Sequence, residues 1–415
     1  MPALTWIEDH KLNAQIDYLI YSTDFPLRIG LQDLFPQDKL PARFSKTGSL
    51  TGVTYLAPYI ISRDPALIMP NSNWYVPGPV ATNLNKCQQL ANVPSRGFRA
   101  VYLWDKDGKR TADVKAGQRY LLSTMLGVTY GRGNSNEEIL SYLKRAAAAD
   151  GTKPQGTIYF MENDNIRSKV REACFAGMAA EINKLGVRAV VAKGSIPRGS
   201  PDVMGLMAGV NLFDWSKSGS TIRPGAICEH LTSYGGDLAV DASQTPLSEF
   251  LRHGAAGSSG TVTEPGAIQA KFPLPSLQLH YARGSSLAEA FYQSVTGPFQ
   301  LLIVGAPLCQ PWANFPNVTV EGIKPGQELK GTVAITSSGA TPDGQPVRMI
   351  DLILDGKLMA RMTPGKTLYL DTTKFADGYH EIRLVGVNNG LLETQGRIIV
   401  PVTINNRGGK LEFKI

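Results

Sequence analysis

The sequence predicts an α/β unit with a mostly parallel sheet and helices on both faces, followed by an all-β sandwich. Three observations carry this. Between Asn136 and Gly305, short apolar runs alternate with stretches of helical periodicity. Beyond Pro316 helical patterning nearly vanishes, and alternating runs are separated by Asp343-Gly344, Asp355-Gly356 and Asp377-Gly378. The chain has 415 residues, enough for two or three domains.

Taken in order, IDYLIYS (16–22) reads as a buried strand, and residues 30–95 as irregular structure with short helices around LTGVTYLAPYI. Residues 97–130 hold two short strands, RAVYLW and RYLLSTMLG, expected as an insertion on the main sheet. NEEILSYLKRAAAAD is a helix, with Asn134, Ser135 or Asn136 as its cap and acidic residues in its first turn. A strand at 156–161 follows. Asp164 to Leu185 has Ile166, Val170, Cys174, Met178 and Ile182 at helical spacing and stops at Gly186. Strands are expected at 187–192, 203–210, 225–233, 260–265 and 299–305, and helices at 246–253 and 286–295. LQLHYARG reads as an apolar–polar alternation, hence a strand. The domain boundaries implied are 1–315 and 317–415.

Composition narrows the function. Hydrophobic residues make up 43% and charged residues 19%, a folded globular profile. The net charge of +7 is scattered, forms no basic stripe, and argues against nucleic-acid binding. No run reaches the roughly 18 apolar residues of a membrane span. The four cysteines (Cys87, Cys174, Cys228, Cys309) include no CxxC pair, so neither zinc nor a disulfide framework is indicated. Tyr130-Gly131-Arg132-Gly133 lacks the setting of a phosphate loop, and Asp164 with Asn165 is too little for a metal site. No cofactor and no metal are expected.

The chemistry concentrates in Gly225 to Pro265. Cys228, His230, Thr232 and Ser233 close an apolar run before Gly235-Gly236, at the carboxyl end of a strand, where open α/β sheets expose reactive groups. A thiolate needs an imidazole and oxyanion donors. Cys228 and His230 lie two apart, on one strand face and about 7 Å apart. Ser233 is the better-placed nucleophile, since the glycines would let a substrate carbonyl approach. His230 would be its base, and Asp214 or Asp237 would orient the imidazole. Thr232, Gly235, Gly236, Glu264, His280 and Arg283 would line the cleft, with Arg283 suited to a carboxylate or to Glu264. Each has a plainer role: Cys228 as a buried hydrophobe, Ser233 as a turn cap, the aspartates as turn residues, His280 as a strand residue.

GTIYFMENDNIRSKVREACFAGMAAEINKLGVRAVV, PGAICEHLTSYGGDL, GTVTEPGAIQAKFPLPSLQLHYARGSSLAEAFYQSV and LLIVGAPLCQPW together resemble an uncharacterised family of exported bacterial proteins. More distantly the chain is similar to the caspase-like fold of gingipain-type cysteine peptidases. That resemblance implies a His-Gly at one strand end, a Cys at the next, and a Gly-Asp-Pro after a late strand. Here VMGLMAGV has no histidine, Cys228 falls five residues early, and the last motif reads Gly305-Ala306-Pro307. The tail, with IDLILDGKLMARM, resembles bacterial Ig-like modules of surface and secreted enzymes. What is implied is an exported or cell-surface protein, either a hydrolase acting on peptide bonds or an inactive descendant that binds or scaffolds. Its partners would be a peptide or protein substrate, or cell-surface molecules. The first segment lacks a leader, so export implies a missing N-terminal piece and cytoplasmic residence is the alternative.

Overall fold

The computed structural model describes residues 2–10, 12, 15–34, 45–76, 87–239 and 243–409. The chain divides into two compact units, Met1–Ala313 and Asn314–Ile415. The first is built on an eight-stranded sheet. Its strands are β1 (Tyr18–Tyr21), β2 (Leu122–Met125), β3 (Thr157–Glu162), β4 (Arg188–Lys193), β5 (Val203–Gly209), β6 (Ile222–Leu231), β7 (Gly257–Thr261) and β8 (Leu301–Gly305). They lie in the order β1-β2-β8-β7-β6-β5-β3-β4. Every pair is parallel except β7–β8, which runs antiparallel with Gly257 opposite Gly305. The sheet is therefore two parallel blocks joined at one reversal. The carboxyl ends of β3 to β7 share one edge, and those of β1, β2 and β8 the other.

Both faces are covered. The labelled helices are α1 (Leu50–Tyr55), α2 (Asn136–Ala149), α3 (Phe175–Lys184), α4 (Ser248–Arg252), α5 (Ser276–Ala282) and α6 (Leu287–Tyr292). Side chains of α3, α5 and α6 form one core with Phe160, Met207 and Ile227. Those of α2 and α4 form the other, with Met204, Leu206 and Cys228. Alternation along β6 sends Ile227 and Cys228 to opposite cores, as a doubly covered strand requires. Helix α2 starts at a full capping box: Glu138 N–H donates to Ser135, and Ser135 N–H donates to the Glu138 carboxylate.

Several expectations need correction. LQLHYARG is not a strand: Ser276–Ala282 is helix α5, and all seven of its residues are buried. The strand expected at 260–265 starts at Gly257 and ends at Thr261. The helix expected over 164–185 is broken into Ile166–Lys169, a 3₁₀ turn at Glu172–Cys174, and α3. Arg171 stands at the break, with its backbone outside the helical region at φ −139°. Its side chain turns inward to the Glu229 carboxylate at 2.6 Å, to the Pro273 carbonyl and to the Ala208 carbonyl. Residues 97–130 are not simply an insertion: Leu103–Trp104 pairs with Arg110–Thr111 as a small ribbon, while β2 belongs to the main sheet. Cys87 and Cys174 form a disulfide, with Cα atoms 5.0 Å apart, where none was expected.

The second unit is a sandwich. Its strands are β9 (Asn317–Glu321), β10 (Gln327–Leu329), β11 (Thr332–Ala340), β12 (Val347–Leu354), β13 (Lys357–Met362), β14 (Thr367–Asp371), β15 (Gly378–Asn388) and β16 (Gln395–Ile404). One sheet is β9-β11-β14, the other β10-β16-β15-β12-β13. Ile335 and Leu370 from the first meet Ile350, Leu352, Leu384 and Val400 from the second in one core.

Candidate functional site

The site expected at the carboxyl edge of β5 and β6 is built from a strand end, a glycine turn and two aromatic side chains. Strand β6 ends at Leu231, and Ser233 to Gly236 turn back across β7. The glycines are there for backbone contact. A Cβ on Gly236 would collide with the Gly260 carbonyl, and one on Gly260 with the Gly235 and Gly236 backbone. Gly236 N–H donates to the Thr261 carbonyl at 3.0 Å, and Thr261 Oγ1 donates to the Ser233 carbonyl at 2.9 Å. Gly235-Gly236 thus admits strand β7, and both glycines are buried.

His230 is enclosed rather than presented. Its ring is fully buried between Phe213 and Phe250, with centroids 5.0 and 5.6 Å away and both contacts edge-on. Neither ring nitrogen makes a well-formed hydrogen bond. Burial, and then the Arg171 cation, lower its pKa to about 3, which the Thr245 backbone offsets only in part. An imidazole this reluctant to accept a proton is a poor general base. Cys228 sits one pleat earlier on the same face, fully buried in the apolar core, and burial pushes its thiol well up from the usual range. No hydrogen bond joins Cys228 or Ser233 to His230 among the described residues.

The other candidates are dispersed. Asp214 caps the 3₁₀ turn Trp215–Ser218, accepting from Ser216 N–H at 3.0 Å and pairing with Lys217 at 2.9 Å. The Ser216 hydroxyl, then Lys217, hold its carboxyl down at about 2, and its partners are these two residues rather than an imidazole. Asp237 pairs with Arg28. His280 lies on α5, in the core opposite His230, with Nδ1 joined to Ser95 Oγ at 2.8 Å. Arg283 does not meet Glu264; it donates to the Val93 and Ala91 carbonyls at 2.6 and 2.8 Å and finishes the helix Cys87–Asn92. Glu264 is exposed and accepts from Gly266 N–H at 2.8 Å. Gly305-Ala306-Pro307 follows β8, so it lies at the opposite edge of the sheet from Ser233.

What remains at the expected edge is a polar rim. Thr232 Oγ1 donates to Gln244 Oε1, which also accepts from Tyr234 N–H at 3.1 Å. Ser233 is half-buried, and its hydroxyl makes no hydrogen bond to a described residue. Beneath the rim, Arg171 and Glu229 form an ion pair with no exposure on either side chain. Burial raises the Glu229 pKa, and Arg171 opposes that rise. Phe213, Phe250, Gln244 and Arg171 were not legible as site residues; only the two phenylalanines, as apolar residues near strand and helix termini, carried any signal. Among the described residues no cluster of His, Cys, Asp and Glu could hold a metal ion, and no helix is long and apolar enough to cross a membrane.

No family model matches the chain, and no curated protein matches it. Solved structures match only weakly. The fibronectin(III)-like modules of Clostridium thermocellum CbhA align at 14% identity and a TM-score of 0.21, over 28% of this chain and 58% of that one. An endo-beta-1,4-mannanase from Thermotoga petrophila aligns at 13% identity and 0.19, over 58% and 62%. A catalytically inactive OgpA from Akkermansia muciniphila, complexed with an O-glycopeptide, aligns at 9% identity and 0.21, over 60% and 93%. The chain thus spans about six-tenths of the first two. Likenesses at these TM-scores carry no argument about fold or activity.

Proposed function

We propose that the α/β unit is a non-catalytic member of a caspase-like lineage, kept for binding or scaffolding at the cell surface of an exported protein. The observation that carries this is His230, sealed between Phe213 and Phe250 with its pKa pushed down to about 3. Without a basic imidazole at the strand end, neither Cys228 nor Ser233 has, among the described residues, a partner to take its proton. Export is supported by the Cys87–Cys174 disulfide, since such bonds persist in oxidising compartments. The β-sandwich then serves as spacer or adhesion unit. The competing reading, a hydrolase of peptide bonds, is favoured by one feature, the half-buried Ser233 hydroxyl at the rim. A peptide library separates the two. The wild type and the single variants Ser233→Ala, His230→Phe and Cys228→Ala should all give background turnover. Cleavage that any one of these substitutions abolishes, in a variant that still melts cooperatively, refutes the non-catalytic reading.

A further inference from the structure

The imidazole of His230 is closed over by a short loop, residues 211–214, strung between the buried side chains of Val210 and Trp215. The outer side of this loop is wet: Asn211 and Asp214 are exposed, and Leu212 is 58% exposed. On its inner side the half-buried Phe213 ring packs edge-on to His230 and stacks on Phe250 at 5.0 Å. Thr245 clasps the loop. Its N–H donates to the Asn211 carbonyl at 3.0 Å, Phe213 N–H donates to its Oγ1 at 2.9 Å, and that hydroxyl donates to the Phe213 carbonyl at 2.9 Å. These bonds tie two loop segments to each other and do not reach the sheet. The hold of residues 211–214 on the core is therefore one half-buried aromatic ring, a small apolar area to expose.

What the loop covers is polar and poorly satisfied. Both ring nitrogens of His230 are buried without a well-formed hydrogen bond to a described residue, a costly arrangement that solvent would relieve. The closed site also resists a proton, because Arg171 and Arg167 stand near enough to repel it. The other charges around the loop have partners of their own. Asp214 holds Ser216 and Lys217, Glu249 accepts from Trp215 N–H and meets His253 at 3.3 Å, and Arg252 pairs with Glu138 and Glu249.

We infer that residues 211–214 are an acid-released lid, which lifts together with Thr245 and admits a proton to His230 while the sheet beneath stays folded. Once the lid is open, His230 titrates as an exposed histidine, near 6.5, whereas under the closed lid its pKa is about 3. The open form therefore gains on the closed form as pH falls from about 6.5 toward 3, by roughly a hundredfold between pH 7.5 and pH 4.5. Opening uncovers Phe213, Phe250 and a cationic imidazole at the carboxyl edge of β5 and β6. Amide exchange of the full chain tests this. The Phe213 and Thr245 N–H groups should exchange through an opening that low urea hardly accelerates. Their protection, corrected for intrinsic rates, should be about a hundredfold lower at pH 4.5 than at pH 7.5. Amides inside β5 and β6 should instead exchange faster as urea is added, because their release exposes the core. In His230→Phe the pH dependence of the two lid amides should vanish; Asp214, Glu249 and His253 are still present there and cannot account for the loss. Thr245→Val, which removes the clasping hydroxyl, should lower the protection of both lid amides by a similar factor at the two pH values. Lid amides that share the urea dependence of β5 and β6 overturn the inference, since the opening is then global. So does equal protection at the two pH values, a drop that persists in His230→Phe, or a Thr245→Val variant whose lid is as protected as the wild type.

Discussion

Replacing Cys87 and Cys174 together with alanine is expected to cost the α/β unit about 4–5 kcal/mol, by the chain entropy of the loop that the bond closes. The two residues are 87 apart in sequence. The closed segment contains β2, α2 and β3, three elements of the main layer. Among the described residues it is the covalent cross-link that restricts the unfolded chain, since Cys228 and Cys309 are free. The bond ties the helix Cys87–Asn92 to the start of α3, beside the inward-turned Arg171. Urea unfolding is the measurement. The midpoint should fall well below that of the wild type, and reduction of the wild type should reproduce the shift. Equal midpoints for oxidised, reduced and alanine forms would mean that the bond contributes nothing. Cys228 and Cys309, both buried thiols, remain in every form and so do not confound the comparison.

The second large effect is in acid. His230 has a pKa near 3 when folded, against 6.5 when exposed. The unfolded chain therefore binds the proton first, and the folded state loses stability as pH falls from about 6.5 toward 3. By pH 4.5 this amounts to about 2–3 kcal/mol, from the separation of the two values. His230→Phe removes the proton site and also removes two buried ring nitrogens without well-formed partners. At pH 7.5 the variant should lie within about 1 kcal/mol of the wild type. At pH 4.5 it should be the more stable protein by about the same 2–3 kcal/mol. His280, also held down to about 3 by burial, is present in both proteins and cancels. A stability difference independent of pH would show that His230 is not sealed from protons.

The regular half of the α/β unit was legible in the sequence because its signals are local. Ser135 and Glu138 mark a helix start, and Gly186, at φ +78°, a helix end. Strand β7 was misplaced for the opposite reason. Gly-Ser-Ser-Gly-Thr has no apolar run, and its burial comes from its place between β6 and β8, with Leu287 against Gly257 and the Gly235-Gly236 backbone against Gly260. Helix α5 was misread because every residue from Ser276 to Ala282 is buried, which erases the one-sided periodicity of a surface helix. The disulfide had no signature at that separation. At the site, residue types were legible and their directions were not. His230 does stand near a strand end as expected, but Phe213 and Phe250 close over it from a loop and a helix far apart in the chain. The glycine turn also stands where expected, and its close backbone contact is with strand β7.

Activity-directed labelling tests the central claim most directly. The native chain is treated with a fluorophosphonate and with an electrophilic cysteine probe, and the modified residues are located by mass spectrometry. No native-state modification of Ser233 or Cys228 above the level of an unreactive serine or thiol is predicted. Cys228 should become reactive only after unfolding, as its burial and raised pKa require. Rapid labelling of Ser233 or Cys228 in the native chain, lost on denaturation and lost in His230→Phe, would contradict the account.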